Sequence, residues 1–257
     1  VASTMNSIGT GFYLYGITTA EAAVPMQSSG VADGDVERVV EGPVAAIVTR
    51  VAVQKIHPER ANLAAHNQIL RDLADSQAVL PVAFGTIVDS EKGLRRAILR
   101  NGNILIDRLR LLQNKVETVL KVYWDTPNIY EYFMSTHAEL QQMRDRFFGR
   151  GQKPSRNQSI ELGELFAALL QQARERHTDR VTKALSPYCA DIRTIDVGEE
   201  KLIMKLACLL EKDSVERWEE GVHEVARLFD NNYSFKYGNP SIPFNFADVD
   251  LELGGNS

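Results

Sequence analysis

Between residues 116 and 237 the apolar residues change period several times, and the order of those changes limits the fold more than any motif does. Residues 116–124 alternate as a strand. Thr126 then stands where a helix cap would, with Pro127 at the first helical position. Ile129, Phe133, Leu140, Met143 and Phe147 supply that helix's apolar stripe. A loop at 149–158 containing Gly151 and Pro154 leads into a long helix over 160–185, with Leu162, Phe166, Leu169 and Ala173 inward and Pro187 as its stop. Residues 189–195 and 201–210 read as strands joined at Val197-Gly198. The second carries Leu202, Met204, Leu206, Cys208 and Leu210 on one face, and Lys205 on the other predicts that this other face is not buried throughout. Asp213 and Glu216 have the spacing of a capping box before a helix repeating Val215, Trp218, Val222, Val225 and Phe229. Residues 232–237 form a last strand. Strand, helical segment, strand, strand, helix, strand is the split βαβ order of a modified ferredoxin-like fold, with one extra helix in the first crossover.

The first half shares the mixture but not the order. Phe12-Tyr13-Leu14-Tyr15-Gly16-Ile17 is an aromatic, β-prone strand. Val36–Glu41 and Val44–Val51 are β-branched runs separated by Gly42-Pro43, which predicts a hairpin. His57-Pro58-Glu59 opens a helix with Leu63, Ile69, Leu70 and Leu73 as its stripe and His66 beside it. Residues 79–84 make a short strand that breaks at Gly85. Residues 91–114 form another helix, in which Asn101-Gly102-Asn103 predicts a kink or break. The expectation is an α+β chain of two domains, 12–115 and 116–237, followed by a tail, 238–257. In that tail Ile242, Phe244 and Phe246 are set to pack on the body or dock a partner, and residues 248–253 alternate as an edge strand or a solvated end would.

Chemistry is sparse. The 257 residues carry 29 Lys and Arg against 34 Asp and Glu, a net charge of −5 that argues against a dedicated nucleic-acid binder. An RNA-binding sheet would need aromatics on its central strands, and residues 189–195 and 201–210 have none. No run of 18 apolar residues predicts a membrane-spanning helix, and residues 1–11 lack a signal peptide's apolar core, so a soluble cytoplasmic protein is expected. Cys189 and Cys208 match no metal or redox spacing and read as buried thiols. Phosphate-loop, dinucleotide, zinc-protease and nucleophile-elbow motifs are missing from the sequence. His57, His66, His137, His177 and His223 have no ligand spacing, with His66 and His137 on or beside apolar stripes, where a hydrogen-bonded structural histidine is the common outcome. The carboxylates are scattered. Arg144, Arg146, Arg150, Lys153 and Arg156 gather around the 149–158 loop, as a solvated basic loop or an acidic-partner site would. No catalytic, metal or cofactor residue is assigned.

Several stretches together resemble the GvpF/GvpL family of gas vesicle proteins, closest to its cyanobacterial-type GvpF members. They are Tyr13-Leu14-Tyr15-Gly16-Ile17, then His66-Asn67-Gln68-Ile69-Leu70 followed by Val79-Leu80-Pro81-Val82-Ala83-Phe84-Gly85-Thr86. Ile160-Glu161-Leu162-Gly163 fits as well, and so do Tyr237-Gly238-Asn239-Pro240 and Pro243-Phe244-Asn245-Phe246. The tail departs from the family pattern where Asn239 separates Gly238 from Pro240 and Ile242 precedes Pro243. The resemblance implies a non-catalytic minor component or assembly factor, located with gas vesicles in the cytoplasm. Its implied partner is the hydrophobic shell protein GvpA, with a role in nucleation or in preventing aggregation. It also implies an α/β first domain and a modified ferredoxin-like second one, with no cofactor, nucleic acid or membrane. The hairpin at 36–51 offers an edge strand for that contact. The alternative is a ferredoxin-like regulatory module that binds a small ligand, which requires a polar-lined pocket.

Overall fold

The computed structural model describes residues 11–21, 23, 29–52, 55–148 and 155–247. It is a mixed helix-and-sheet α+β chain, and its contacts divide it into two compact units: residues through Glu117 together with those from Pro240, and residues Thr118–Asn239. Arg150, Lys153 and the alternating stretch 248–253 lie outside the described residues.

The first unit is organised by β1 (Gly11–Thr19), which is buried from Gly11 to Thr18. Strands β2 (Val36–Glu41) and β3 (Val44–Val51) form the expected hairpin, and β3 pairs antiparallel with β1. On the other side of β1 lie β4 (Leu80–Pro81) and β5 (Ile87–Val88), two short pairings where one strand over 79–84 was expected. A Cβ on Gly16 would stand 2.8 Å from the Leu80 carbonyl oxygen, so glycine is what lets β4 approach β1 so closely. The register slips between Leu14 and Gly16, leaving Tyr15 in a bulge.

Helix α1 (Arg60–Ser76) begins three residues after His57, so Pro58 precedes it and does not sit in its first turn. Its Ile69, Leu70 and Leu73 join Tyr13, Tyr15, Ile47 and Val79 in the core, whereas Leu63, expected inward, is exposed. Helix α2 (Glu91–Leu112) runs unbroken through Asn101-Gly102-Asn103. The Asn101 side chain donates to the Ala97 carbonyl, and buried Leu94, Ala97, Ile98, Leu105 and Leu109 hold both ends of the helix. Packing therefore overrides the local propensity.

Strand β6 (Lys115–Trp124) crosses the division between the units. Glu117 and Ser241 exchange two backbone hydrogen bonds at 2.8 Å. The Glu117 carboxylate, almost fully buried, accepts from the Asn245 backbone N–H at 2.8 Å and from its side-chain amide. Ile242 packs on the first unit's core and Phe246 is fully buried, while Phe244 remains exposed. From Pro240 on, the described part of the tail is thus a component of the first unit.

In the second unit the sheet order is β7 (Asp191–Ile195), β8 (Leu202–Glu211), β6, β9 (Tyr233–Tyr237). The helical segment after β6 differs from expectation. Asn128, not Thr126, caps α3 (Ile129–Thr136), its side chain accepting from the Glu131 N–H. His137 interrupts the run before α4 (Ala138–Phe148), so the stripe is carried by two helices. Helix α5 (Arg156–Leu185) opens with a full capping box at Ser155 and Gln158, and its 30 residues span about 45 Å. It packs on β8, as does α6 (Val215–Ala226). Asp213 does not cap α6: it lies in a 3₁₀ turn, and the cap position belongs to Ser214. In β8 the face opposite Leu202, Met204, Leu206 and Cys208 is interrupted at Lys205, which is only half-buried, while Ile203, Ala207 and Leu209 on that face are buried. Cys189 is only half-buried.

Two substitutions test this packing. A Cβ on Gly221 would lie 2.8 Å from the Tyr188 ring, so Gly221→Ala is expected to lower stability by about 1–3 kcal/mol despite alanine's better helix propensity; a urea midpoint at or above that of the unmodified protein would contradict it. Glu117→Ala removes the carboxylate that accepts from the Asn245 backbone N–H and side-chain amide, and limited proteolysis is expected to cut 240–247 faster, with a stability loss of about 1–3 kcal/mol.

Candidate functional site

Three of the landmark stretches meet in one buried cluster of the first unit. The Tyr13 hydroxyl lies 2.9 Å from His66 Nδ1 and accepts from the Gly85 N–H at 3.2 Å. The Tyr15 hydroxyl lies 2.8 Å from Thr49 Oγ1 and accepts from the Val31 N–H at 2.8 Å. The rings of Tyr13, Tyr15, His66 and Phe84 contact one another mostly edge-on, with centroids 5.0–5.9 Å apart. Strand alternation brings both tyrosines to the side of the sheet that α1 covers. Burial pushes the Tyr13 phenol up to about 12 and raises Tyr15 as well. Burial also pushes the His66 imidazole down to about 4, opposed by its hydrogen bond to the Val82 backbone. A neutral imidazole between fixed partners is a structural histidine, as its position beside the apolar stripe implied.

The other histidines do not join it. His57 and His223 are exposed, and His137 stacks on Phe133 at 4.7 Å. His177 Nε2 lies 3.2 Å from the Tyr233 hydroxyl, which in turn is 3.4 Å from that of Tyr132. Burial, aided by Arg176 and Arg180, lowers His177. Among the described residues no group of three His, Cys, Asp or Glu side chains could hold a metal ion, and no helix is long and apolar enough to cross a membrane.

Two surfaces could receive another chain. The outer strand of the hairpin, β2, is guarded: Arg95 of α2 donates to the Val40 carbonyl and pairs with Glu41 at 3.3 Å and Glu91 at 2.7 Å. Arg50 pairs with Glu37 at 2.9 Å beside them. Pairs this exposed add little stability, but they occupy a sheet edge with charge. On the second unit an open cleft of about 500 Å³ is lined by Tyr130, Arg144, Asp145 and Phe148. Tyr130 is 38% exposed and Phe148 43%, so α3 and α4 present aromatic surface to solvent. Arg144 is held by Asp145 at 2.7 Å, Arg146 lies over the Phe147 ring, and Arg156 begins α5. The described cations of the basic cluster therefore do not converge on one anion site. Thr49 and Tyr233 had no signal in the sequence, because their partners lie far away along the chain, and the same holds for Arg95's bonds to Val40 and Glu41, although its partner Glu91 is four residues away.

Residues 11–248 match the family model described as gas vesicle synthesis protein GvpL/GvpF. Gas vesicle protein F of Dolichospermum flosaquae is 25% identical over 241 residues, covering 93% of this chain and 98% of that protein. The protein of the same name from a Streptomyces species is also 25% identical, over 243 residues, covering 92% and 99%. The crystal structure of gas vesicle protein GvpF from Anabaena sp. PCC7120 superposes with a TM-score of 0.78 at 22% identity, covering 94% of this chain and 99% of that one. The GvpF structure from Microcystis aeruginosa gives 0.75 at 19% identity, covering 93% and 99%. These two likenesses establish the fold.

Removing one hydroxyl tests the buried cluster. Tyr15→Phe leaves the Val31 N–H without its acceptor and Thr49 Oγ1 without its partner, and should cost about 1–3 kcal/mol. Urea unfolding within about 0.5 kcal/mol of the unmodified protein would show that the cluster contributes little.

Proposed function

The chain belongs to the GvpL/GvpF family of gas vesicle synthesis proteins, and we propose that it acts there as a non-catalytic assembly factor that binds the main shell protein, GvpA, within the cytoplasm. The observation that carries this reading is the family match, which runs over residues 11–248 and so takes in both units. We read the units as two domains, the second a modified ferredoxin-like one: sheet order β7-β8-β6-β9 with the crossovers α3–α5 and α6 supports it.

The physical task is to cover apolar surface that would otherwise aggregate before polymerisation. Of the two surfaces, the β2 edge is already occupied by Arg95 and its acidic neighbours, which disfavours added strands. The cleft between α3 and α4 suits the task better. Tyr130 and Phe148 give two aromatic anchors, and an apolar helix of the shell protein laid between them would bury both. The Arg144–Asp145 pair at its rim is internally neutral, so it sets no strong charge requirement on what enters. The ligand-sensing alternative has less support, since this cleft is open and its one ion pair is already satisfied.

Co-purification of the full-length chain with GvpA tests the reading. The unmodified protein is expected to retain GvpA, and Tyr130→Ser with Phe148→Ser to retain at least about tenfold less, since each hot-spot truncation costs about 2 kcal/mol or more. Failure of the unmodified protein to retain GvpA that is soluble and present would overturn direct binding. Undiminished retention by the double variant would overturn only the location.

A further inference from the structure

The segment from Val79 to Val88 is attached to β1 lightly. Strands β4 and β5 each contribute two residue pairs, and two single backbone bonds join them: Val82 N–H to the Tyr15 carbonyl and Leu14 N–H to the Thr86 carbonyl, each 2.9 Å. Val79, Phe84 and Ile87 pack in or against the core, and a further polar tie passes through side chains, from Gly85 N–H to the Tyr13 oxygen and on to His66.

Counting protons along that tie shows what holds it. The Tyr13 hydroxyl has one hydrogen. Its oxygen already accepts from Gly85, and with Nδ1 unprotonated its hydrogen completes the 2.9 Å bond to His66. The Val82 backbone also bears on the imidazole, in the direction that favours its charged form. A neutral ring meets both demands, accepting at Nδ1 and donating through the other nitrogen to a carbonyl. A second proton, placed on Nδ1, turns that nitrogen into a donor, so the phenol hydrogen must leave the line to His66 and the Tyr13 oxygen must accept there as well as from Gly85. We propose that the Gly85–Tyr13–His66 chain is a proton-operated latch: when His66 takes a second proton, the segment around residues 82–86 leaves β1 while the β1–β3 pairing stays closed.

The surroundings offer the imidazolium one favourable contact, the Val82 backbone, and burial outweighs it. Strand β1 brings the phenols of Tyr13 and Tyr15, both raised by burial and neutral. Thr49 of β3 and the Val31 N–H reach the ring's neighbour Tyr15. The 79–88 segment brings the Val82 carbonyl, the Phe84 ring and the Gly85 N–H. None of these carries a charge, and burial is the main cause that lowers the ring. The direction follows from linkage. The closed state holds His66 near 4 and the open state near its ordinary 6.5, so the open state binds more protons between those values. Closure is complete above about pH 6.5 and weakens as pH falls toward 4. Between about pH 7.5 and pH 5 the open fraction rises about 30-fold.

Hydrogen exchange on the full-length protein, corrected for the intrinsic rate at each pH, reads this directly. Amides at 82–86 are expected to exchange about 30-fold faster at about pH 5 than at about pH 7.5, with amides of 44–51 still protected. In His66→Gln, whose amide does not titrate, the step should vanish. An equal step in that variant would overturn the proposal. In the unmodified protein alone, loss of protection at 82–86 and 44–51 together would overturn it too, because the event would then be unfolding of the whole unit.

Discussion

The constraint on which the first unit depends is that β1 is buried from end to end and yet carries two phenolic hydroxyls. A strand covered on both faces has no water to satisfy its side chains, so each hydroxyl must find a partner brought by another element. Tyr13 takes His66 from α1 and Gly85 from the 79–88 segment, and Tyr15 takes Thr49 from β3 and the Val31 N–H. Four separate pieces of chain are fixed in place by two oxygen atoms. The apolar contacts of Ile47, Ile69, Leu70 and Val79 supply most of the free energy of burial, but they would tolerate small shifts that the hydrogen bonds would not.

A comparable arrangement holds the second unit, with cations in the anchoring role. Arg174 of α5 donates to the carbonyls of Glu199, Glu200 and Leu202, and its guanidinium lies over the Trp124 ring. Lys201 reaches the Thr126 carbonyl at 2.7 Å and that of Pro127 at 3.2 Å. These bonds tie the turn before β8 to the helix and to the end of β6, where an irregular backbone would otherwise leave its carbonyls unpaired.

The sequence revealed elements better than junctions. The hairpin at 36–51 was legible to the residue, because two β-branched runs flank a two-residue turn. The order of strands and helices from β6 to β9 was legible as well. What failed was local grammar under tertiary pressure: Asn101-Gly102-Asn103 stays helical because the apolar residues on both sides are clamped, and the cap of α3 fell to Asn128. The β5 pairing was invisible, being two residues long. The buried role of Glu117 could not be read either, since one carboxylate among 34 acidic residues looks like surface until the tail is seen to fold onto it. Of the buried cluster, the stretches carrying Tyr13, His66 and Gly85 stood out as landmarks. Their convergence did not, because the bonds join residues 53 and 72 positions apart.

The return of residues 240–247 to the first unit makes residues 118–239 an insertion in that unit's chain. On the ribosome this sets a schedule. The inserted unit has all its residues while the outer one still lacks Ile242, Asn245 and Phe246, so the first unit to begin is the last that can be completed. At elongation rates of roughly 5–20 residues per second, the intervening 122 residues amount to a wait of several seconds or more. Throughout that interval the buried surface beneath Phe246 has no cover of its own, and nascent-chain chaperones have their longest opportunity to act.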